Sequence, residues 1–442
     1  MGVSRKMQPD LLPSLLASWP DNLSGLSAFE VGLSGGLDSM VLLSLLVRAR
    51  QHRPQLRISA VHVHHGLSDF AEAWVRHCQT VCAEWDVPLR VVRVSVDRAA
   101  IEGIEANARK LRYGVYAQSA AEVLVLAQHQ DDQCETVMLQ LLRGGGVKAL
   151  SGMPICRSLA GLTLWRPLLP YTRQQLERYA ARQQLSWVED NSNDDIHYRR
   201  NMLRHCIMPV LAEHVPDYRQ HITRTAWHMR QASSLIEEVV AADLERGRKG
   251  HGFDVASLLA LSEVRQGFVL LAWLRERGVV AVAPERVQEF LRQLRSAGAA
   301  SQPSLMVGDV AVLRYRGILH AVRVLHDLCV PNEVPVFSGE TAEQFFPDWG
   351  GRLRWERCGG IAPEVLAQGI CLSPRRGGEL LPQKVGRKQV KKLLQEFGIP
   401  PLLRKRWPLL LDGSGRVLAL PSVAVSSDCF DHAGYWPEWL PD

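Results

Sequence analysis

The sequence predicts an α/β fold, a doubly wound parallel sheet, followed by a helical middle domain and a small basic α+β domain at the C-terminus. Three observations predict it. Over roughly the first 190 residues, apolar runs of strand length alternate with amphipathic helical patterns, the signature of a parallel sheet wrapped by helices. From 198 to about 294 helical periodicity dominates, broken only by Pro209, Pro216 and a glycine-containing stretch at 247–252. From 374 to 407 the chain holds ten Lys and Arg against two Glu.

In order along the chain, strands are expected at 28–33, 57–62, 89–96, 122–127 and 162–167. Helices are expected between them at 39–50, 69–85, 105–120 and 131–142, where apolar residues recur three or four apart. A chain of 442 residues exceeds what one core supports, roughly 250 to 300 residues, so several domains are expected. We place them at 1–215 (the wound sheet), 216–330 (helical) and 361–442 (basic), with a proline-containing, weakly periodic linker region at 331–360.

Hydrophobic residues make up 46% and charged residues 22%, near globular averages, so neither disorder nor a fibrous repeat is indicated. The longest apolar runs, such as 40–47, fall far short of the roughly 20 residues of a membrane span. Nine cysteines without regular spacing do not read as a disulfide framework, and a cytoplasmic, unexported protein is expected. A net charge of +6 and a pI near 8.9 lean toward a polyanionic partner; no membrane or obligate protein partner is indicated.

The first chemical signal is Ser34-Gly35-Gly36-Leu37-Asp38-Ser39, where the first strand gives way to the first helix. Adjacent glycines let the backbone turn sharply and approach a ligand closely, and the unpaired N–H groups opening the helix point to the same spot. Such a nest binds phosphate. Ser34 and Ser39 add hydroxyl donors, and Asp38 is placed to hold a divalent cation bridging phosphate oxygens. A strand-to-helix turn capped by Ser and Asp is the plainer alternative. The Gly-Lys-Ser/Thr ending of a Walker loop is absent. The hexapeptide resembles the pyrophosphate loop (PP-loop) of the N-type ATP pyrophosphatases, which cleave ATP between its first and second phosphates to adenylate a carbonyl oxygen.

In a doubly wound sheet the ligand crevice opens beyond the carboxyl ends of the strands, where strand order reverses. The fourth strand ends in Gln128-His129-Gln130-Asp131-Asp132-Gln133-Cys134-Glu135-Thr136, so if it neighbours the first strand, both polar sets face one cleft. Asp132 and Glu135 lie three apart on the opening helical turn and share a face, suited to magnesium or to an ammonium nucleophile. An acidic helix N-terminus favoured by the macrodipole is the alternative. The segment is similar to one in the lysidine synthetases, which carry a His, an acidic pair, Gln and Glu-Thr in this order.

Further segments extend the resemblance. His62, His64 and His65 fall on both faces of a strand with no cysteine beside them, which argues against zinc. The family has a similar segment that contacts the adenosine end of ATP, usually with Asn where His64 stands. Arg109 and Arg112 share a predicted helix face, and planar guanidinium groups suit phosphate, although a surface arginine pair is the plainer reading. The family's Ala-Arg-x-x-Arg-Tyr segment matches here and implies that Arg109 touches the nucleotide. Trp187, then Asp190-Asn191-Ser192-Asn193 and Arg199-Arg200-Asn201-Met202-Leu203-Arg204, match the family's most discriminating series, with Arg199, Arg200 and Arg204 toward RNA or the activated base. The basic block, including Arg375, Arg376, Lys391 and Lys392, resembles the tRNA-binding tail domain of the longer members, though a solvated charged face is the alternative.

Taken together, the resemblance implies an ATP- and Mg2+-dependent ligase that joins free lysine to the wobble cytidine of a CAU-anticodon isoleucine tRNA through an O-adenylated intermediate. Asp38, Arg109, His129, Asp132, Glu135 and Arg200 would be catalytic. Ser34 to Ser39 with His62 and His65 would bind ATP, and Asp38 and Asp132 the metal. Three rivals use parts of the same pattern: a tRNA thiolase, disfavoured because no Cys-x-x-Cys occurs; a small-molecule ATP pyrophosphatase, which has no need of a basic tail; and a non-catalytic tRNA-binding protein.

Overall fold

A computed structural model describes residues 10–441 apart from 69, 98, 100–102, 190–194, 251, 280–281, 299–300, 302, 324–332, 337–342 and 405. The Asp190 to Asn193 part of the segment that begins at Trp187, Asp69 at the expected start of the second helix, and Lys405 lie outside the described residues. The chain divides into two compact units, Met1–Leu235 and Ile236–Asp442. No helix among the described residues is long and apolar enough to cross a membrane.

In the first unit β1 (Ala28–Gly32), β2 (Arg57–His64), β3 (Leu89–Arg93), β4 (Val123–Val125), β5 (Cys156–Leu159) and β6 (Leu162–Trp165) form one sheet in the order β3-β2-β1-β4-β6-β5. All neighbours run parallel except β5, which pairs antiparallel with β6. Phe29 faces Val123 and Val31 faces Val125 across β1 and β4. The chain leaves β1 toward β2 on one side and reaches β4 only after β3, so strand order reverses between β1 and β4, and the crevice opens there.

Helix α1 (Leu11–Ala17) precedes the sheet, and α2 (Leu37–Ala49), α3 (Ala71–Glu84), α4 (Ile104–Ala117) and α5 (Gln130–Leu142) follow its strands. Ten of the thirteen residues of α2 are buried, Ser39 and Ser44 among them. A helix apolar on every side must be enclosed. After α6 (Val147–Leu150), α7 (Arg173–Arg182) returns over α2, where Ser44 Oγ lies 3.1 Å from Tyr179 Oη and Arg48 pairs with Asp10 at 2.6 Å. Under the sheet Trp165 is 1% exposed and stacks at tilted angles on Trp19 (4.7 Å between ring centroids) and Phe29 (6.2 Å).

The expected strands and helices appear within a few residues, and helices α1, α6 and α7 and one edge strand are additions. The edge strand β5 reads Cys-Arg-Ser-Leu, too short and polar to register as an apolar run. It folds onto β6 through Ala160 (φ +48°) and Gly161 (φ +90°), the left-handed pair a tight hairpin requires.

Helices α8 (Arg199–Met202), α9 (Met208–His214) and α10 (Tyr218–Gly247) continue the expected helical stretch, with a π-turn at Leu203–Ile207. In the second unit come α11 (Val255–Leu259), α12 (Glu263–Arg275) and α13 (Pro284–Ser296). The glycine-containing break is a hairpin of β7 (Arg248–Lys249) and β8 (Gly252–Asp254). It joins a sheet with β9 (Ser304–Val307), β10 (Val310–Tyr315) and β11 (Ile318–Arg323), which helical periodicity did not anticipate.

The expected linker at 331–360 needs correction. Within it lie β12 (Val334–Val336), β13 (Glu343–Phe346) and most of β14 (Gly351–Ile361), which pairs along its length with the last strand of the chain. Its described prolines do not interrupt a central strand: Pro335 lies on an edge strand and Pro347 opens a short 3-10 turn. The remainder is mixed α+β, with a hairpin at 380–389 leading into a helix at Val390–Glu396 that carries Lys391 and Lys392.

Replacing Trp165 by Ala removes the centre of the aromatic cluster. It should lower the unfolding free energy of the first unit by about 4 kcal/mol, read from the denaturant midpoint of near-UV circular dichroism.

Candidate active site

The glycine loop is built so that its backbone, rather than its side chains, faces the crevice. Gly35 adopts φ +87°, and a Cβ there would meet Cys78 Sγ and Val188 Cγ2 at 3.1 Å, so both conformation and space call for glycine. Ser39 Oγ donates to Gly36 O (2.9 Å), accepts from Ser34 N (3.2 Å) and lies 3.1 Å from Ser34 Oγ, so the two hydroxyls expected as phosphate donors lock the turn. Leu37 and Ser39 are buried; what they offer a ligand is main-chain N–H at the start of α2.

From beneath, His62 is buried with Nδ1 2.9 Å from Leu33 O, and burial holds its imidazole below the usual range. From above, Val188 N–H donates to Gly35 O (3.0 Å), which brings the segment after Trp187 against the loop. His65 lies further along, lining a cavity of about 390 Å³ with Gly66, Leu67, Arg93 and Val96; burial and the nearby Arg112 push its imidazole down to about 4.

On the neighbouring strand, His129 caps α5: its N–H donates to Asp132 Oδ2 (3.0 Å), while Asp132 N–H points back at its Nδ1 (3.5 Å). Its Nε2 lies 3.6 Å from Asp38 Oδ2 and 3.5 Å from Asp132 Oδ2. The carboxylates of the two helix starts therefore meet over one imidazole. His129 is 3% exposed; burial disfavours its charge, yet Asp132, Asp38 and Asp131 outweigh burial and hold it above the usual histidine range. Burial works against ionised Asp132, and His129, Arg200 and Arg204 overcome it, so its carboxyl stays below the ordinary range.

Arg200 and Arg204 close the same cluster. Arg200 donates through Nε to Glu135 Oε2 (2.6 Å) and through Nη2 to Asp132 Oδ1 (2.9 Å). Arg204 donates through Nε to Glu135 Oε1 (2.7 Å) and reaches Asp132 Oδ1 at 3.4 Å. Glu135 is 2% exposed, a charge that needs such partners. Gln133 clamps the following loop, donating to Met153 O (2.9 Å) and accepting from Met153 N (2.7 Å).

Residues 12–211 match the PP-loop domain family, 253–320 the TilS substrate binding domain and 370–437 the TilS substrate C-terminal domain. A tRNA(Ile)-lysidine synthase from Chromobacterium violaceum is 49% identical over 430 residues, covering 97% of this chain and 99% of its own. The chain belongs to the tRNA(Ile)-lysidine synthase family. A second member, from Yersinia pseudotuberculosis, is 38% identical over 414 residues, covering 90% of this chain and 89% of its own. The chain is thus a PP-loop ATP-dependent ligase, which removes the thiolase, small-molecule and non-catalytic readings.

Of the residues singled out in this family pattern, Asp38, His129, Asp132, Glu135, Arg200 and Arg204 converge on one cluster. Arg109 stands apart from it, with Nη2 3.3 Å from Tyr113 Oη, and Arg199 is exposed. In the second unit Arg375 is half-buried and donates to Arg404 O (2.9 Å), Arg376 pairs with Glu333 (3.0 Å), and Lys391 and Lys392 are exposed. Two arginines of the cluster were not anticipated: Arg173, 2.6 Å from Asp38 Oδ2, and Arg219, 2.5 Å from Asp131 Oδ1. Thr172 and Gln175 form a capping box that marks the start of α7 in the sequence, but nothing local tells that this start abuts Asp38. Cys78 and Cys134 are buried, with thiols pushed up to about 12 by burial, so neither is a poised nucleophile.

Glu135→Ala removes one of the two carboxylates that Arg200 and Arg204 share and leaves both arginines to Asp132. It should cost roughly 3 kcal/mol, seen as a lower first unfolding transition by calorimetry.

Proposed function

We propose that the enzyme binds ATP with its diphosphate over the N–H groups of Gly35, Gly36 and Leu37, and adenylates the O2 of the wobble cytidine of a CAU-anticodon isoleucine tRNA. The carbonyl oxygen attacks the α-phosphorus and pyrophosphate leaves. The ε-amine of free lysine then attacks C2 of the activated ring, losing protons to the surrounding bases, and AMP departs to leave lysidine. The single observation that carries this reading is that Asp38, from the glycine-loop helix, and Asp132, from the neighbouring helix, each lie within 3.6 Å of His129 Nε2.

Each residue has a part in this proposal. The amide donors of the loop hold the outgoing diphosphate, and His129, whose imidazole is held above its usual range by Asp132, Asp38 and Asp131 despite burial, stands beside it. Arg200, fixed through Nε and Nη2, offers Nη1 to the adenylyl phosphate. Asp132 and Glu135 present the negative field that draws in the lysine ammonium, and Arg109 meets the nucleotide. His62 supports the loop, and His65 lines the cavity assigned to the adenosine end. Arg199, Arg204, Arg375, Arg376, Lys391 and Lys392 are assigned to the RNA.

Magnesium fits this donor set. Asp38 Oδ1 is buried without a partner, an oxygen awaiting a cation. Among the described residues no group of three or more His, Cys, Asp or Glu could hold a metal. Magnesium, however, is commonly held by one or two carboxylates plus substrate phosphates. Asp38 and Asp132 would hold it, and it would supply charge neutralisation of the diphosphate. We also assign the domain limits 1–215, 216–330 and a C-terminal domain that includes 361–442, and a cytoplasmic location.

Two experiments bear on the scheme. With ATP, labelled lysine and tRNA, mass analysis of the anticodon nucleoside should report lysidine, and Asp38→Asn should cut its formation by about 10² to 10³ with tRNA affinity within about twofold; undiminished turnover would remove Asp38 from the chemistry. Lys391→Ala with Lys392→Ala should weaken tRNA binding and reduce the slope of log K against log salt by about 1.8, measured by filter binding. An unchanged slope would leave that helix as solvated surface.

A further inference from the structure

A second cationic group lies along the same edge of the sheet, two strand positions from the glycine loop, about 10 Å at ordinary strand spacing. Arg166, just after β6, is 2% exposed and donates to Gln128 Oε1 (2.9 Å) and Pro154 O (2.9 Å). The Tyr113 hydroxyl is its near neighbour, and the two groups act on each other electrostatically. Arg109 from α4 donates to the same hydroxyl at 3.3 Å and lies 4.9 Å from the ring centroid; Arg157 from β5 lies 5.3 Å from that centroid. Three guanidinium groups thus gather on one phenol, one at the floor and two exposed at the rim.

Among the described residues none of the three has a carboxylate partner. This contrasts with the cluster at His129, where each arginine is matched by an acid. A buried cation without a counter-charge is costly, and three cations held together repel unless an anion joins them. Burial and the two neighbouring arginines draw the Arg166 guanidinium below its usual range, consistent with an unmet demand for negative charge.

We propose that Arg109, Arg157, Arg166 and Tyr113 form a phosphate-binding cup separate from the glycine loop, which takes a phosphodiester of the RNA beside the target base or a phosphate of the nucleotide. Resting on the reading above that this enzyme modifies RNA with ATP, it extends the role given to Arg109 to three further residues. The planar donors suit a tetrahedral oxyanion, and Gln128, adjacent in sequence to His129, ties the cup to the reacting end of the cleft.

The test uses the full chain with Arg157→Ala and Arg157→Glu, since Arg157 is exposed and its loss leaves the core intact. If the anion is RNA, Arg157→Ala raises the tRNA Kd roughly tenfold and lowers the salt slope by about 0.9. Arg157→Glu then does more, and the KM for ATP stays put. If the anion belongs to the nucleotide, the KM for ATP and the inhibition constant of inorganic pyrophosphate rise instead while tRNA binding holds. Tyr113→Phe, which keeps the ring and removes the oxygen, should move the same parameter less. Charge reversal that moves neither parameter overturns the cup. Wild-type enzyme that incorporated no lysine would refute the proposed reaction instead, while the two binding measurements would still decide the cup.

Discussion

The pairing of β1 with β4 is the constraint on which the site depends. Parallel strands deliver their helices from the same end, so hydrogen-bonded neighbours place two helix N-termini side by side. Both ends carry positive partial charge and unpaired N–H groups, which stabilise Asp38 and Asp132 where they stand. His129 lies between the two carboxylates and answers the charge they concentrate. A change in the β1/β4 register would shift one helix start along the strand axis by about 3.3 Å per residue, enough to part Asp38 from His129.

Within that frame the cluster is close to internally neutral. Asp38, Asp131, Asp132 and Glu135 are matched by Arg173, Arg219, Arg200 and Arg204, four charges against four, which leaves His129 to set the sign. The glycine loop, by contrast, is held by uncharged bonds: Ser39 to Gly36, Val188 to Gly35, and His62 to Leu33 O. The two halves respond differently to a ligand. The loop is already formed by bonds among its own groups, with Gly36 N–H donating to Ser34 Oγ at 3.3 Å, whereas the ion pairs are exchangeable, and in the proposed scheme Asp38 would trade Arg173 for the cation.

Much of this was legible in the sequence, because the groups that build the loop are contiguous. Ser34 to Ser39 and Gln128 to Thr136 sit at strand-to-helix junctions that period and composition locate, and the winding rule for parallel sheets implies where their side chains gather. What escaped reading depends on the chain's return from afar. Arg173 meets Asp38 from 135 residues away, and Arg219 meets Asp131 from 88, with no local pattern to signal either. The β5 edge strand was missed because four residues, two of them polar, give too little alternation. The sheet at 304–323 followed a long helical stretch whose periodicity set the expectation. At 331–360 prolines suggested a linker, because the sequence does not tell an edge strand, where proline is tolerated, from a central one.

Following strand order along the sheet edge gives an alternation of charge that no single motif contains. At β1 the loop offers N–H donors; at β4 the helix start offers Asp132 and Glu135; at β6 and β5 Arg166 and Arg157 offer guanidinium groups with Arg109 above them. In the proposed scheme a set of reactants in the order anion, cation, anion meets the loop donors, the Asp132 and Glu135 pair that Arg200 and Arg204 already neutralise and must share, and the guanidinium groups of the cup. The proposed reaction supplies one, a diphosphate, a lysine ammonium and the phosphate that accompanies the target base. Binding a cation between two anions lowers the repulsion that would otherwise arise from bringing nucleotide and RNA into one cleft, at an effective dielectric where charges several ångströms apart still interact by about 1 to 4 kcal/mol.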